Sequence, residues 1–165
     1  MTRAVETFRL VLDAVADLDA RVLLTVGRAV DPAALGPPPR GVHVEQWVNQ
    51  DDVLAEAELV VGHGGSGTTL GALAAGLPLV VVPQFADQFV NAKRVIAAGA
   101  GLAVEPALGD DGRRLSLQPH DAARIRAAIE TVRGTPSFRD AARRIGNEMA
   151  KASTVDEVIP RLALR

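Results

Sequence analysis

The chain has 165 residues, a net charge of -2, 48% hydrophobic residues and no cysteine. That length fits one domain with a real core. The weak negative charge excludes binding to nucleic acid or anionic membranes by bulk attraction. The missing thiols exclude a disulfide framework, a thiolate nucleophile and a cysteine metal site. No apolar run approaches the ~20 residues of a membrane span, and Met1 to Glu6 lacks a secretory pattern, so a cytoplasmic location is expected.

Val5, Phe8, Leu12 and Val15 recur at helical intervals and predict an amphipathic helix over residues 3 to 17. Arg21 to Val26 reads as a strand. Residues 31 to 41 read as a loop, since Pro37-Pro38-Pro39 cannot join a ladder. Val42 to Gln46 is a second strand and Asp52 to Ala57 a short helix. Glu58 to Val61 is a short buried strand, followed by a glycine-rich turn and a helix from Thr68 that stops at Gly76, with Pro78 just beyond. Leu79 to Val82 is another buried strand, ended by Pro83. A helix opens at Asp87 and stops at Gly99, and Leu102 to Glu105 is a last strand. Residues 106 to 118 are a polar turn. Helices follow around Ala122 to Val132, Phe138 to Met149 and Val155 to Leu164. Strands separated by helices imply parallel pairing with right-handed crossovers, hence an α/β doubly wound parallel sheet of Rossmann-like kind. Such units usually open on a strand, whereas this chain opens on a helix. A first strand outside the chain is therefore expected.

Ligands of doubly wound sheets bind beyond the carboxyl ends of the strands. The loops after Gln46, Val61 and Val82 are therefore expected to meet at one site. The turn Gly62-His63-Gly64-Gly65-Ser66-Gly67 stands at that end, where glycines let a phosphate approach the backbone. A helix start offers N–H groups without partners, and with the helix dipole it attracts an anion by about 0.3–1 kcal/mol, up to ~2 when partly buried. Ser66, Thr68 and Thr69 add hydroxyl donors, and His63 adds an imidazole. The turn also satisfies the GxGxxG spacing of dinucleotide sites. The next strand, however, ends Val82-Pro83-Gln84 without the acid that would grip a ribose.

Trp47, the only tryptophan, follows a strand at the same end of the sheet. It is either a rim aromatic or a platform for a nucleobase, worth about 1–3 kcal/mol of stacking. Asp87 and Gln88 open a helix, where they serve as caps or as partners for sugar hydroxyls. His43 and His120 read as structural or surface residues, and no two histidines lie close enough in sequence for a metal site. Asp17-Leu18-Asp19 matches the DxD pattern of metal-dependent sugar transferases, but it closes a helix far from the glycine turn and reads as solvated caps. Asp110-Asp111 reads as turn chemistry.

Trp47-Val48-Asn49-Gln50, His63-Gly64-Gly65-Ser66-Gly67-Thr68-Thr69-Leu70, Ala75-Gly76-Leu77-Pro78, Pro83-Gln84-Phe85-Ala86-Asp87-Gln88 and Asn91-Ala92 occur in that order. This string resembles the donor-binding, C-terminal half of GT-B glycosyltransferases of the UDP-glycosyltransferase superfamily, above all bacterial enzymes that attach deoxysugars to antibiotics. The resemblance is strong over residues 42 to 105 and rests on helix order elsewhere. It implies that residues 1–165 form one nucleotide-sugar donor-binding domain. Trp47 would stack on the base, the Val48 backbone would read its edge, and Gln50 would lie near the ribose. His63 would contact the diphosphate with Gly65, Ser66, Gly67 and Thr68, and Asp87 and Gln88 would hold the sugar hydroxyls. No metal and no other cofactor is implied. Many relatives carry a glutamate for the ribose hydroxyls where this chain has Gly71, which is compatible with a thymidine rather than a uridine donor. Asn49 replaces a usual proline. The family's catalytic histidine–aspartate pair lies in an N-terminal acceptor domain, so no catalytic residue is expected in this chain.

The expected function is thus donor binding within an inverting, metal-independent glycosyltransferase acting on a small natural-product acceptor, with the isolated chain inactive. The expected partners are a dTDP- or UDP-sugar, the missing acceptor domain and, through an open sheet edge, a second copy. The competing readings are a stand-alone nucleotide-sugar-binding or partner module without transferase activity, and an epimerase of nucleotide sugars.

Overall fold

The computed structural model describes residues 3–153 and 155–162. The first helix, α1 (Arg3–Val15), forms where the apolar spacing places it and carries two apolar stripes that face different neighbours. Strands β1 (Val22–Thr25) and β2 (Val42–Glu45) pair in parallel, from Val22↔Val42 to Thr25↔Glu45. The loop expected between them holds one 3-10 turn, Pro32–Leu35. Asp31 starts it by accepting the Ala33 N–H at 2.9 Å, and Pro32 supplies a preset φ. Helix α2 (Gln50–Glu56) begins two residues before the expected Asp52, because the Asn49 side chain caps it by accepting the Asp51 N–H at 3.4 Å.

Strands β3 (Val60–Gly62), β4 (Leu79–Val81) and β5 (Gly101–Ala103) form a second parallel sheet in that order. Helix α3 (Ser66–Ala74) joins β3 to β4, and α4 (Gln88–Ala97) joins β4 to β5. Gly76 (φ +70°) and Gly99 (φ +67°) follow these helices in the left-handed conformation of helix stops. The expected polar turn at 106–118 is closed by an antiparallel bridge, Leu108↔Arg114. The Arg114 guanidinium lies 2.8 Å from the Glu105 carboxylate and 4.0 Å over the Phe89 ring. Helices α5 (Asp121–Gly134), α6 (Pro136–Met149) and α7 (Val155–Leu162) complete the described chain. Ala163 and Leu164, read as part of the last helix, lie outside the described residues.

Strand β4 shows why its sequence is continuously apolar. Leu79 and Val81 face a core shared with Ala72 and Leu73 of α3, Val95 of α4 and Ala142 of α6. Val80 and Val82 face the opposite core, with Leu10 and Ala14 of α1 and Ile125 of α5. Both faces are covered, so no position on the strand is free to be polar. The expected fold class holds, but the sheet comes in two pieces: among the described residues no ladder joins β1 to β3. Helix α1 spans both pieces. One stripe sits in the Val80 core, and another packs on Val26, Val30 and Leu35. Among the described residues no helix is long and apolar enough to cross a membrane.

Candidate functional site

The loops after β2, β3 and β4 converge at the carboxyl ends of the strands, as the topology requires. After β2, the Gln46 amide donates to the carbonyls of Arg28 (3.3 Å) and Val30 (3.4 Å), tying this loop to the one after β1. Trp47 follows and is 63% exposed, an unusual position for the chain's one tryptophan. It lines a cleft of about 530 Å³ together with Val48, Gln50, Thr68 and the inner edges of β1 and β3. The Gln50 side-chain Oε1 accepts the Thr68 hydroxyl at 3.3 Å, which joins the starts of α2 and α3. Gly71 makes room for this: a Cβ there would collide with the Gln50 amide.

After β3, Gly64 adopts φ +87° and is buried. A Cβ at that position would sit 2.7 Å from Val81 Cγ1 and 3.1 Å from the Gln88 carbonyl, so only glycine fits this turn. Gly65 takes the cap position of α3 and brings no side-chain cap. The first intrahelical bond is Thr69 N–H to the Gly65 carbonyl, at 3.0 Å. The N–H groups of Ser66, Gly67 and Thr68 therefore have no partner within the helix. The exposed His63 imidazole folds over this point, with Nε2 2.5 Å from where a Cβ on Gly65 would be.

After β4, the chain passes through Ala86, whose φ of +55° makes it the one non-glycine residue with positive φ among the described residues. Gln88 holds that turn. It is 3% exposed, and its Oε1 accepts the N–H groups of Gln84 (2.8 Å) and Phe85 (3.1 Å). Asp87 stands at the cap position of α4 without capping it. Its Oδ2 instead accepts from the Ser66 hydroxyl (3.2 Å) and the Asn91 amide (3.3 Å). The Asn91 amide also donates to the Gly64 carbonyl at 2.9 Å, so the turns after β3 and β4 are bonded into one unit.

The sequence-derived site residues thus divide. Trp47, Val48, Gln50 and Thr68 meet at the cleft, while His63, Gly65, Ser66, Gly67 and Asp87 surround the start of α3. Gln88 is turned inward, with its oxygen committed to its own turn. Thr69 does not join the hydroxyl donors at the turn. One residue beyond Thr68, the helical rotation carries its side chain into the interior, where Oγ1 has no partner among the described residues. Asn91 was missed as a site residue, although its spacing of four from Asp87 puts both on one helical face. His43 pairs with Glu45 at 2.7 Å and His120 lies 3.7 Å from Asp121, so neither reaches the cleft. Asp17 pairs with Arg126 of α5 at 3.3 Å.

The parallel sheet, the glycine turn and the free helix start define the class: this is the Rossmann-like C-terminal half of a GT-B glycosyltransferase fold. The family model described as "Erythromycin biosynthesis protein CIII-like, C-terminal domain" matches residues 9–164, and the chain belongs to that family. It is 36% identical over 159 residues to the L-demethylnoviosyl transferase of Streptomyces niveus, a match covering 94% of this chain and 38% of that relative. The solved structure of the calicheamicin glycosyltransferase CalG4 superposes with a TM-score of 0.79 at 35% identity, covering 96% of this chain and 40% of that one. The glycosyltransferase VinC, solved in complex with DTDP, superposes with a TM-score of 0.79 at 27% identity, covering 97% of this chain and 38% of that one. The chain therefore spans well under half the length of these relatives.

Proposed function

We propose that this chain holds the nucleoside-diphosphate sugar of an inverting, metal-independent glycosyltransferase whose acceptor is a small natural product. The observation that carries the reading is the free start of α3, with His63 folded over it, opening onto the cleft that Trp47 and Gln50 line. A diphosphate needs several fixed donors and a positive end of a dipole, and three amides with an imidazole supply them. A nucleobase needs a flat apolar face one diphosphate and one sugar away, and the exposed indole offers it. Gly71 brings no carboxylate toward a ribose 2′-hydroxyl, which favours a thymidine over a uridine donor.

In the reaction, an acceptor oxygen attacks the anomeric carbon from the face opposite the diphosphate. The bond from that carbon to the diphosphate oxygen breaks, and the nucleoside diphosphate departs with the bonding electrons. The charge it gains is met by the His63 imidazole and the amides of Ser66, Gly67 and Thr68. The acceptor's proton passes to a base outside these 165 residues, so the chain alone binds donor without turnover. Calorimetric titration with thymidine and uridine diphosphates tests the reading. Binding that His63→Ala weakens is expected; a folded sample that binds neither nucleotide overturns it.

A further inference from the structure

The candidate site carries one charge that binding an anion does not call for. Asp87 follows the turn at Ala86 and stands at the cap position of α4, but its side chain makes no cap bond. Its Oδ2 accepts instead from the Ser66 hydroxyl at 3.2 Å and the Asn91 amide at 3.3 Å, while Oδ1 has no partner among the described residues. No lysine, arginine or histidine among the described residues pairs with it. Ser66 is the first residue of α3, so the carboxylate lies one hydroxyl away from the free amides of that helix. Asn91 keeps it there. The same amide bonds the Gly64 carbonyl at 2.9 Å, so the acid is fastened to the glycine turn. An unpaired carboxylate in this place works against any anion that the amides attract.

We propose that Asp87 makes the site distinguish donor from product, by repelling the free terminal phosphate of the nucleoside diphosphate that transfer leaves behind. The inference rests on the donor-binding reading given above. In a nucleoside-diphosphate sugar the terminal phosphate is esterified and carries one negative charge. After transfer it is free, and like other phosphate monoesters it ionises again near pH 6, which adds most of a second charge at about pH 7. The Ser66 hydroxyl has a single hydrogen to donate. When it turns to a phosphate, Asp87 loses that bond in either complex. The hydroxyls of a donor's sugar replace it. The product brings no hydroxyl there and more charge, about 5 Å from the carboxylate across two hydrogen bonds. The carboxylate therefore penalises the product and spares the donor, which favours release once the sugar has left.

Asp87→Asn removes the charge and keeps an oxygen that accepts from Ser66 and Asn91. Calorimetric titration of the parent chain and this variant tests the proposal with three ligands: thymidine diphosphate, its methyl ester at the terminal phosphate, and thymidine-diphosphate glucose. The variant is expected to bind thymidine diphosphate about 3- to 10-fold more tightly than the parent at low salt. The methyl ester is expected to gain less, and the sugar nucleotide to gain nothing or to bind more weakly. At about 0.5 M salt the gain for thymidine diphosphate is expected to shrink, as screening requires. Unchanged or weaker binding of thymidine diphosphate, an equal gain for either ester, or a gain that salt leaves untouched each overturns the proposal while leaving donor binding in place. A folded parent chain that binds none of the three ligands overturns the donor-binding reading itself, and this proposal with it.

Discussion

The two pieces of the sheet obey the same pairing rules and end in different states. In the β3-β4-β5 piece, Leu79, Val80 and Val81 are 2%, 0% and 0% exposed, and helices cover both faces. In the β1-β2 piece, Leu23 is 39% exposed and the strand's inner edge is open. The closed piece carries the glycine turn and the free start of α3, and the open piece is bordered by Trp47.

The largest test of that contrast compares two glycines. A Cβ at Gly101 would strike the Leu79 carbonyl, so Gly101→Ala must push β5 off β4. A loss of about 3 kcal/mol or more is expected in urea unfolding. Gly27, in the open half, has φ +74° and nothing within 4 Å of a Cβ, so Gly27→Ala carries only backbone strain of about 1–2 kcal/mol. Equal losses would remove the distinction between the halves.

Ligand binding is expected to divide along the same line. His63→Ala is expected to cost roughly 1.5–3 kcal/mol of thymidine diphosphate affinity by calorimetry, as for a charge-assisted bond. Trp47→Ala is expected to cost about 1–3 kcal/mol. With inorganic pyrophosphate as ligand only the first variant should matter. If Trp47→Ala weakens pyrophosphate equally, base and phosphate recognition are not separated as proposed.

The closed half is also fastened by a buried carboxylate at the start of α5. Asp121, 1% exposed, accepts the Gln118 N–H at 2.8 Å and pairs with Arg124 at 2.5 Å. Burial pushes its pKa upward most strongly, but the Gln118 amide, the Arg124 guanidinium and His120 together outweigh burial and hold it below the usual carboxylate range. A carboxyl with a depressed folded pKa stabilises the fold above its unfolded pKa of about 3.9, and that stability is lost as pH falls through the folded value. Asp121→Asn is therefore expected to destabilise by about 1.5 kcal/mol at pH 7, with the gap to the parent narrowing below about pH 4. A pH-independent gap in thermal or urea unfolding would contradict this. The smallest expected effect is that of Leu23→Thr in the open half, within about 0.5 kcal/mol. A much larger loss would mean that Leu23 is already covered in solution.

Much of this protein was legible from its residues alone. Helical spacing of apolar residues, and short apolar runs bounded by glycine and proline, placed the helices and strands to within a few residues. The glycine turn and Trp47 were legible because chain order puts them at the carboxyl end of the sheet, where a parallel fold must present its site. Three features were decided only in three dimensions. The inward turn of Gln88 and Thr69 follows from the rotational phase of α4 and α3 against β4, which one residue of shift at a helix start would change. The bonds from Asn91 to Gly64 and from Asp87 to Ser66 join turns more than twenty residues apart, and no local pattern records such a pair. The split of the sheet depends on which edges find partners. A strand's sequence states that it can pair on both sides, but only the assembled fold determines whether a neighbour is there.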